Sequence, residues 1–275
     1  MGYLYIFGGT SVYQSTVGDK TFRSFKVDLN TGSVSAIANL TNSMDNLICY
    51  YNTNDGCIYI YGVSNSGYEY WYQYNIAYNT YAQVYYAGST IGLLGLGQDM
   101  ITNGGVNVNY YWVLNGRYNS NSGVMRSFRK HTYDGKSTAY ATPAVSMNYA
   151  MMAAPVTSGD VYGFKTVESD GIAGVYYYKW TASTNTWNVL GTAPWSASDY
   201  STGGFQGKAI QGKDGKIYIV VRKDSYRFYI YSYDPTTNTF ALLFDVLHQN
   251  TSFATTSISP TMQHDYNRQC FWILS

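Results

Sequence analysis

Charge is scarce in this sequence: Asp, Glu, Lys and Arg together make up 12% of it, and the formal net charge is +1. So weak a field cannot gather polyanions, which disfavours nucleic-acid binding. Long apolar runs are missing as well. No stretch reaches the roughly 18 to 20 residues that cross a bilayer as a helix. Met1-Gly2-Tyr3 leads straight into a strand-like pattern without a basic, apolar leader. Neither membrane insertion nor a targeting segment is expected. Histidine is limited to His131, His248 and His264, and no H-x-x-H, HExxH or Cys/His spacing is present. No metal or other cofactor is therefore expected, and neither a G-x-S-x-G elbow nor a phosphate loop appears. The three cysteines cannot make a closed disulfide set. Cys49 and Cys57 flank the turn signal Asn52-Thr53-Asn54-Asp55-Gly56, and any two-residue turn there puts Cys57 opposite positions 52 to 54. Cys49 is several residues out of register, and all three are read as free, mostly buried thiols.

Aromatic residues are abundant at 18%, with 32 Tyr, and 27 Gly accompany them. Ring side chains favour pleated, half-buried strands, and glycine marks the turns between them, so the composition is that of a β protein. A chain of 275 residues has room for one large all-β domain or two smaller ones.

Two independent signals repeat along the chain. An aromatic stands second in an apolar strand at Tyr5, Tyr59, Tyr111, Tyr162, Tyr218 and Phe271, in steps of 54, 52, 51, 56 and 53 residues. The strands that carry it lie near 4–8, 58–62, 110–114, 161–165, 217–221 and 270–274. The second signal is a pair of bulky residues seven apart that straddles a polar turn: Val27 and Val34, Tyr74 and Tyr81, Tyr133 and Tyr140, Trp180 and Trp187, Tyr233 and Phe240. The residues between them, such as Asp234-Pro235-Thr236-Thr237-Asn238, set turn geometry through Asx bonds and fixed φ. A third hairpin turn, such as Lys213-Asp214-Gly215, precedes each aromatic strand. Each unit is thus four antiparallel strands: A, the aromatic B, then C and D around the seven-residue pair. A four-stranded unit of this size, repeated, is a propeller blade.

Tyr233-Asp234-Pro235-Thr236-Thr237-Asn238-Thr239-Phe240, with Gly8-Gly9 ending the first B strand, resembles the kelch repeat. The diglycine is complete only in the first unit, and Trp180 to Trp187 lacks the Asp. The resemblance implies a single β-propeller domain over 1–275. Strand counting gives B, C and D at the start, four complete sets, and A and B at the end, twenty-one in all. Five blades are preferred, closed by a C-terminal strand A joining the first strands C and D and leaving one B strand surplus. That strand could serve oligomeric assembly. Six blades are the alternative, incomplete or completed by another chain, because missing strands expose edges that natural sheets avoid.

In such a unit the B-to-C and D-to-A connections share one face, and the longer loops mark the functional one. Around the B-to-C loops lie Tyr13, Tyr68, Glu69, Trp71, Arg117, Tyr118, Arg126, Asp170, Arg222, Tyr226 and Arg227. Tyr, Trp and Arg among Asn, Ser and Gly combine flat apolar contact with hydrogen bonding at modest entropic cost. Tyr13, Tyr68, Trp71, Arg117, Tyr118, Arg126, Tyr226 and Arg227 are the expected ligand-binding set, for a glycan or protein partner. The leading expectation is a non-enzymatic recognition or assembly module, exposed on an extracellular surface or a virus particle. The rival is a carbohydrate-active enzyme, since kelch-like rings also carry sugar oxidation and sialic acid mutarotation. Asp45, Asp99, Asp199 and Arg222 are its candidate catalytic groups at the axial opening. An intracellular kelch-type adaptor is the third reading.

Overall fold

A computed structural model of the chain describes residues 2–7, 23–42, 44–52, 55–64, 69–87, 100–103, 110–115, 127–132, 137–143, 150–153, 159–165, 175–195, 207–222, 227–247, 261–265 and 270–274. They form twenty-one strands, the number expected from hairpin counting, and no helix. The chain divides into two compact units, Met1–Gly95 with Tyr133–Gly135, and Leu96–Thr132 with Lys136–Ser275.

The first unit holds two sheets. One is β1 (Tyr3–Phe7), β2 (Ser24–Asp28) and β3 (Val34–Ala36). The other is β4 (Met44–Asn52), β5 (Cys57–Ser64), β6 (Glu69–Asn75) and β7 (Thr80–Ala87). The second unit holds four. They are β8 (Met100–Asn103), β9 (Tyr110–Asn115), β10 (Ser127–Thr132) and β11 (Ser137–Tyr140); β12 (Ala150–Ala153), β13 (Val161–Lys165), β14 (Tyr176–Thr181) and β15 (Thr186–Thr192); β16 (Gly207–Gln211), β17 (Ile217–Arg222), β18 (Arg227–Asp234) and β19 (Thr239–Leu247); and the pair β20 (Thr261–Asp265) and β21 (Cys270–Leu274). Every pairing is antiparallel between chain neighbours, so each sheet is a meander. All six expected B strands are present, as β1, β5, β9, β13, β17 and β21. Four of the five seven-apart pairs face each other across their hairpins: Val27 and Val34, Tyr74 and Tyr81, Trp180 and Trp187, Tyr233 and Phe240. The expected joining of the C-terminal strand A to the first sheet is not among the described pairs; β20 pairs with β21 there, and β1 to β3 with one another.

Strand alternation explains the packing, because successive residues point to opposite sheet faces. On β13, Val161 joins Trp112, Phe128, Tyr178 and Trp180 in one buried cluster. Its neighbours Tyr162 and Phe164 join Ile217, Ile219, Val221, Tyr231 and Tyr233 in another. The β12–β15 sheet is therefore sandwiched between the sheet before it and the sheet after it. The first strands of successive sheets also lie side by side, β8 with β12, β12 with β16, and β16 with β20. Burial falls toward the last strand: β13 is buried on both faces, whereas β15 and β19 are largely exposed. In the first unit the same face-to-face contact joins Phe7, Ile37 and Leu40 to Ile58, Ile60, Tyr72 and Tyr74.

The two sequence signals meet at these contacts. The B-strand aromatic of one sheet packs on the C-strand aromatic of the next: Tyr5 on Tyr74 at 6.0 Å, Trp112 on Trp180 at 4.8 Å, and Tyr162 on Tyr233 at 5.6 Å between ring centroids. In the third repeat this corrects the sequence reading by one residue. Trp112 occupies that place rather than Tyr111, which lies opposite His131. The pair Tyr133 and Tyr140 also fails there, since Tyr140 stands opposite Phe128 and Tyr133 lies outside the described residues.

Candidate functional site

Each meander has two ends. At the turn end, three asparagines hold positive φ, Asn79 at 54°, Asn185 at 52° and Asn238 at 55°. Asn tolerates this left-handed corner better than other side chains with a Cβ. Each lies five residues after a C-strand aromatic and accepts a hydrogen bond from it through Oδ1: from Tyr74 Oη at 2.8 Å, Trp180 Nε1 at 3.1 Å and Tyr233 Oη at 2.8 Å. The same oxygen also accepts from the preceding sheet or its trailing segment: from Ala38 N at 2.8 Å, Ala141 N at 2.9 Å and Tyr177 Oη at 2.9 Å. One amide thus closes its own turn and ties two sheets. Sequence reading passed over these residues as turn polarity; their signal is an aromatic, four residues, then Asn-Thr and a second aromatic. Further sheet-to-sheet bonds run from Tyr81 Oη to Ser24 Oγ and from Trp187 Nε1 to the Ala141 carbonyl.

The A-to-B turns use carboxylates. Asp55 accepts from the Cys57 amide and from Tyr59 Oη at 2.7 Å; Asp214 accepts from the Lys216 amide and from Tyr218 Oη at 2.9 Å. Asp160 instead pairs with Lys179 Nζ at 2.8 Å, beneath the Tyr162 ring. Burial first, then the Asp214 hydrogen bond and charge, pushes the Tyr218 phenol up to about 12. Burial likewise raises Tyr72, Tyr74, Tyr81, Tyr177 and Tyr233 above the ordinary value of 10.0. A phenol whose folded pKa exceeds its unfolded one adds stability that is complete below pH 10 and is lost as pH climbs through the folded value. A spectrophotometric titration should therefore show these tyrosines ionising late, together with loss of the near-ultraviolet circular dichroism. Completion of the phenolate signal near pH 10 with the dichroism intact would contradict this.

The loop end carries the long connections: residues 8–23, 116–126 and 166–175 join B to C, and 193–206 and 248–260 join D to A. Tyr13, Tyr68, Asp99, Arg117, Tyr118, Arg126, Asp170, Asp199 and Tyr226 lie outside the described residues. Asp45 stands on β4 and Glu69 on β6, both opposite Val63 in register. Arg222 ends β17 opposite Phe228, and Arg227 opens β18 with an exposed ion pair to Asp245 at 3.1 Å. Trp71 lies inside β6 and is only 2% exposed, so its ring belongs to the packing and not to the loop surface. The large exposed tyrosines of the first unit, Tyr3, Tyr51 and Tyr78, are at the turn end, where Lys26 Nζ lies 5.2 Å from the centre of the Tyr3 ring. Cys57 is a buried free thiol opposite Asn52, and Cys49 is a half-buried cysteine opposite Ile60. Among the described residues no group of three or more His, Cys, Asp or Glu could hold a metal ion, and no helix is long and apolar enough to cross a membrane.

Fold and site together define an all-β chain of small antiparallel sheets, consistent with a β-propeller, with the C-to-D turns at one end and the longest connections at the other. No family model matches the sequence, and no curated protein matches it either. Among solved structures, the chain is similar to the one titled "Structure of YjhT", with a TM-score of 0.56 and 10% sequence identity, covering 89% of this chain and 81% of that chain. At that identity the likeness shows the fold alone, one of the propeller type.

Proposed function

We propose that the chain is a single kelch-like β-propeller domain over 1–275, five-bladed, that acts as a non-enzymatic recognition module. The ligand is a glycan or a protein, gripped at the loop end, on an extracellular surface or a virus particle. One observation carries this reading: the rings that are buried serve sheet-to-sheet packing, while the connections that bear Tyr and Arg, long at 8–23 and 116–126 and four residues each at 65–68 and 223–226, leave the opposite end from the C-to-D turns. A rigid scaffold that presents variable loops at one end is how recognition surfaces keep the entropic cost of binding low. Tyr13, Tyr68, Arg117, Tyr118, Arg126, Tyr226 and Arg227 supply the contacts; Trp71 supports them from within the sheet.

The test is a glycan array with the purified chain, followed by affinity measurement on the triple variant Tyr68→Ala, Tyr118→Ala, Tyr226→Ala. Bound glycans should lose at least tenfold in affinity, about 1.4 kcal/mol, with the melting temperature unchanged. Equal binding by the triple variant contradicts the loop-end assignment. Turnover of a sugar abolished by Asp45→Asn or Arg222→Ala would favour the enzyme instead.

A further inference from the structure

The outermost strand β19 differs from the other described edges. It is bonded to β18 on one side, and its outer edge has no strand partner among the described residues. Natural edge strands are kept apart by shortness, by charged side chains, by proline or by bulges. Of the other outer strands, β3 and β11 are three and four residues long, while β7 and β15 run for eight and seven, also without Lys, Arg or Pro. The longest, β19, runs for nine residues, Thr-Phe-Ala-Leu-Leu-Phe-Asp-Val-Leu, again without Lys, Arg or Pro, and is set apart by its exposed apolar side chains. Leu242, Leu243, Phe244, Val246 and Leu247 are all exposed, Phe244 and Leu247 at 61%. On β15, Val189 is the one large apolar side chain so exposed.

We infer that β19 pairs antiparallel with β19 of a second copy of this chain about a two-fold axis. The unpaired amides and carbonyls of a strand edge are complemented by another strand, and an apolar edge calls for an apolar partner. Identical strands meeting about a two-fold place like charges together, which is destabilising. Here the strand's single charge, Asp245, is already neutralised within the chain by Arg227, and the formal net charge of +1 adds little repulsion between copies. A strongly charged partner would find no counter-charge on this edge. Leu243 is the extra residue of a bulge, since Ile230 faces Phe244 while Tyr231 faces Leu242. The bulge bends the strand there, so the pairing runs through the residues on either side of it. The contact would bury on the order of 1,000 Å² in total, the low end for specific interfaces, where association is weak or transient.

Sedimentation velocity of the full chain from about 1 to about 200 µM tests this. The average mass should rise from 30.8 kDa toward twice that value and stop there. Phe244→Lys with Leu247→Lys, both at exposed positions, should weaken the dimer at least tenfold with an unchanged melting temperature. Val189→Lys on β15 should leave it intact. A monomer at every concentration, growth beyond two copies, or a dimer indifferent to the β19 lysines would overturn the inference.

Discussion

Replacing Trp180 with alanine is expected to lower stability by about 3–5 kcal/mol, the cost of emptying a large aromatic site in a packed core. Trp180 is 1% exposed. Its ring meets Trp112 at 4.8 Å, Phe128 at 5.0 Å and Tyr140 at 5.3 Å, and its Nε1 donates to Asn185 Oδ1. Removing it takes the common neighbour from three rings of the preceding sheet, so two sheets lose their seam together. Domains of ordinary stability hold only about 5–15 kcal/mol. Chemical denaturation should show a large fall in midpoint, and extensive unfolding if the chain is at the lower end of that range. Trp180→Phe keeps most of the ring contact and loses the indole donor, and should cost about 1–2 kcal/mol. Tyr78→Ala, at a residue 78% exposed, should stay within about 0.5 kcal/mol of the parent. Equal midpoints for Trp180→Ala and Tyr78→Ala would refute the aromatic seam.

The second large effect is expected at Asn238. Asn238→Ala forces a Cβ-bearing residue without a compensating side-chain bond into φ 55°. It also removes the acceptor shared by Tyr233 and Tyr177. Backbone strain of about 1 kcal/mol and the loss of an acceptor for two largely buried hydroxyls, about 1–3 kcal/mol, give about 2–4 kcal/mol together. Asn238→Gly relieves the strain and isolates the hydrogen-bond part, so it should lie between parent and alanine. In a Tyr177→Phe background, Asn238→Gly should cost less than alone, because the bond to the neighbouring sheet is already gone. Additivity within error would mean that the amide does not tie the two sheets.

The repeat was legible in the sequence because hairpins with Asx turns carry strong local chemistry. Asp28 and Asp234 each accept two turn amides through Oδ1, and the Thr236 amide bond holds the Asp234 carboxyl below the usual carboxylate range. Such turns fix the register of the strands beside them. Phase within a strand was harder to read. Tyr110, Tyr111 and Trp112 are all rings, so a two-residue period cannot say which of them faces the next sheet, and packing against Trp180 selects Trp112. A strand start inside an aromatic run is equally ambiguous, so the sequence alone does not tell Trp71 beside the loop from Trp71 buried within β6. The bulges at Val84, Leu190 and Leu243 recur at matching places in three outer strands and leave no mark in composition. They arise from fitting an outer strand to a twisted sheet. The candidate site was legible as an end of the sheets and not as a constellation, since loop side chains are positioned by tertiary contacts that no local pattern encodes.

The central claim is that, within each unit, successive meanders stack face to face with a B-strand ring of one seated on a C-strand ring of the next: Tyr5 on Tyr74, Trp112 on Trp180 and Tyr162 on Tyr233. Crystallographic determination of the full chain tests it most directly. The expected result keeps those three ring contacts and the bridging bonds of Asn79, Asn185 and Asn238 within their units, and the propeller proposed above adds a closed ring of five sheets. Two extended sheets packed into a sandwich, or the rings Trp112 and Trp180 lying far apart, would contradict it.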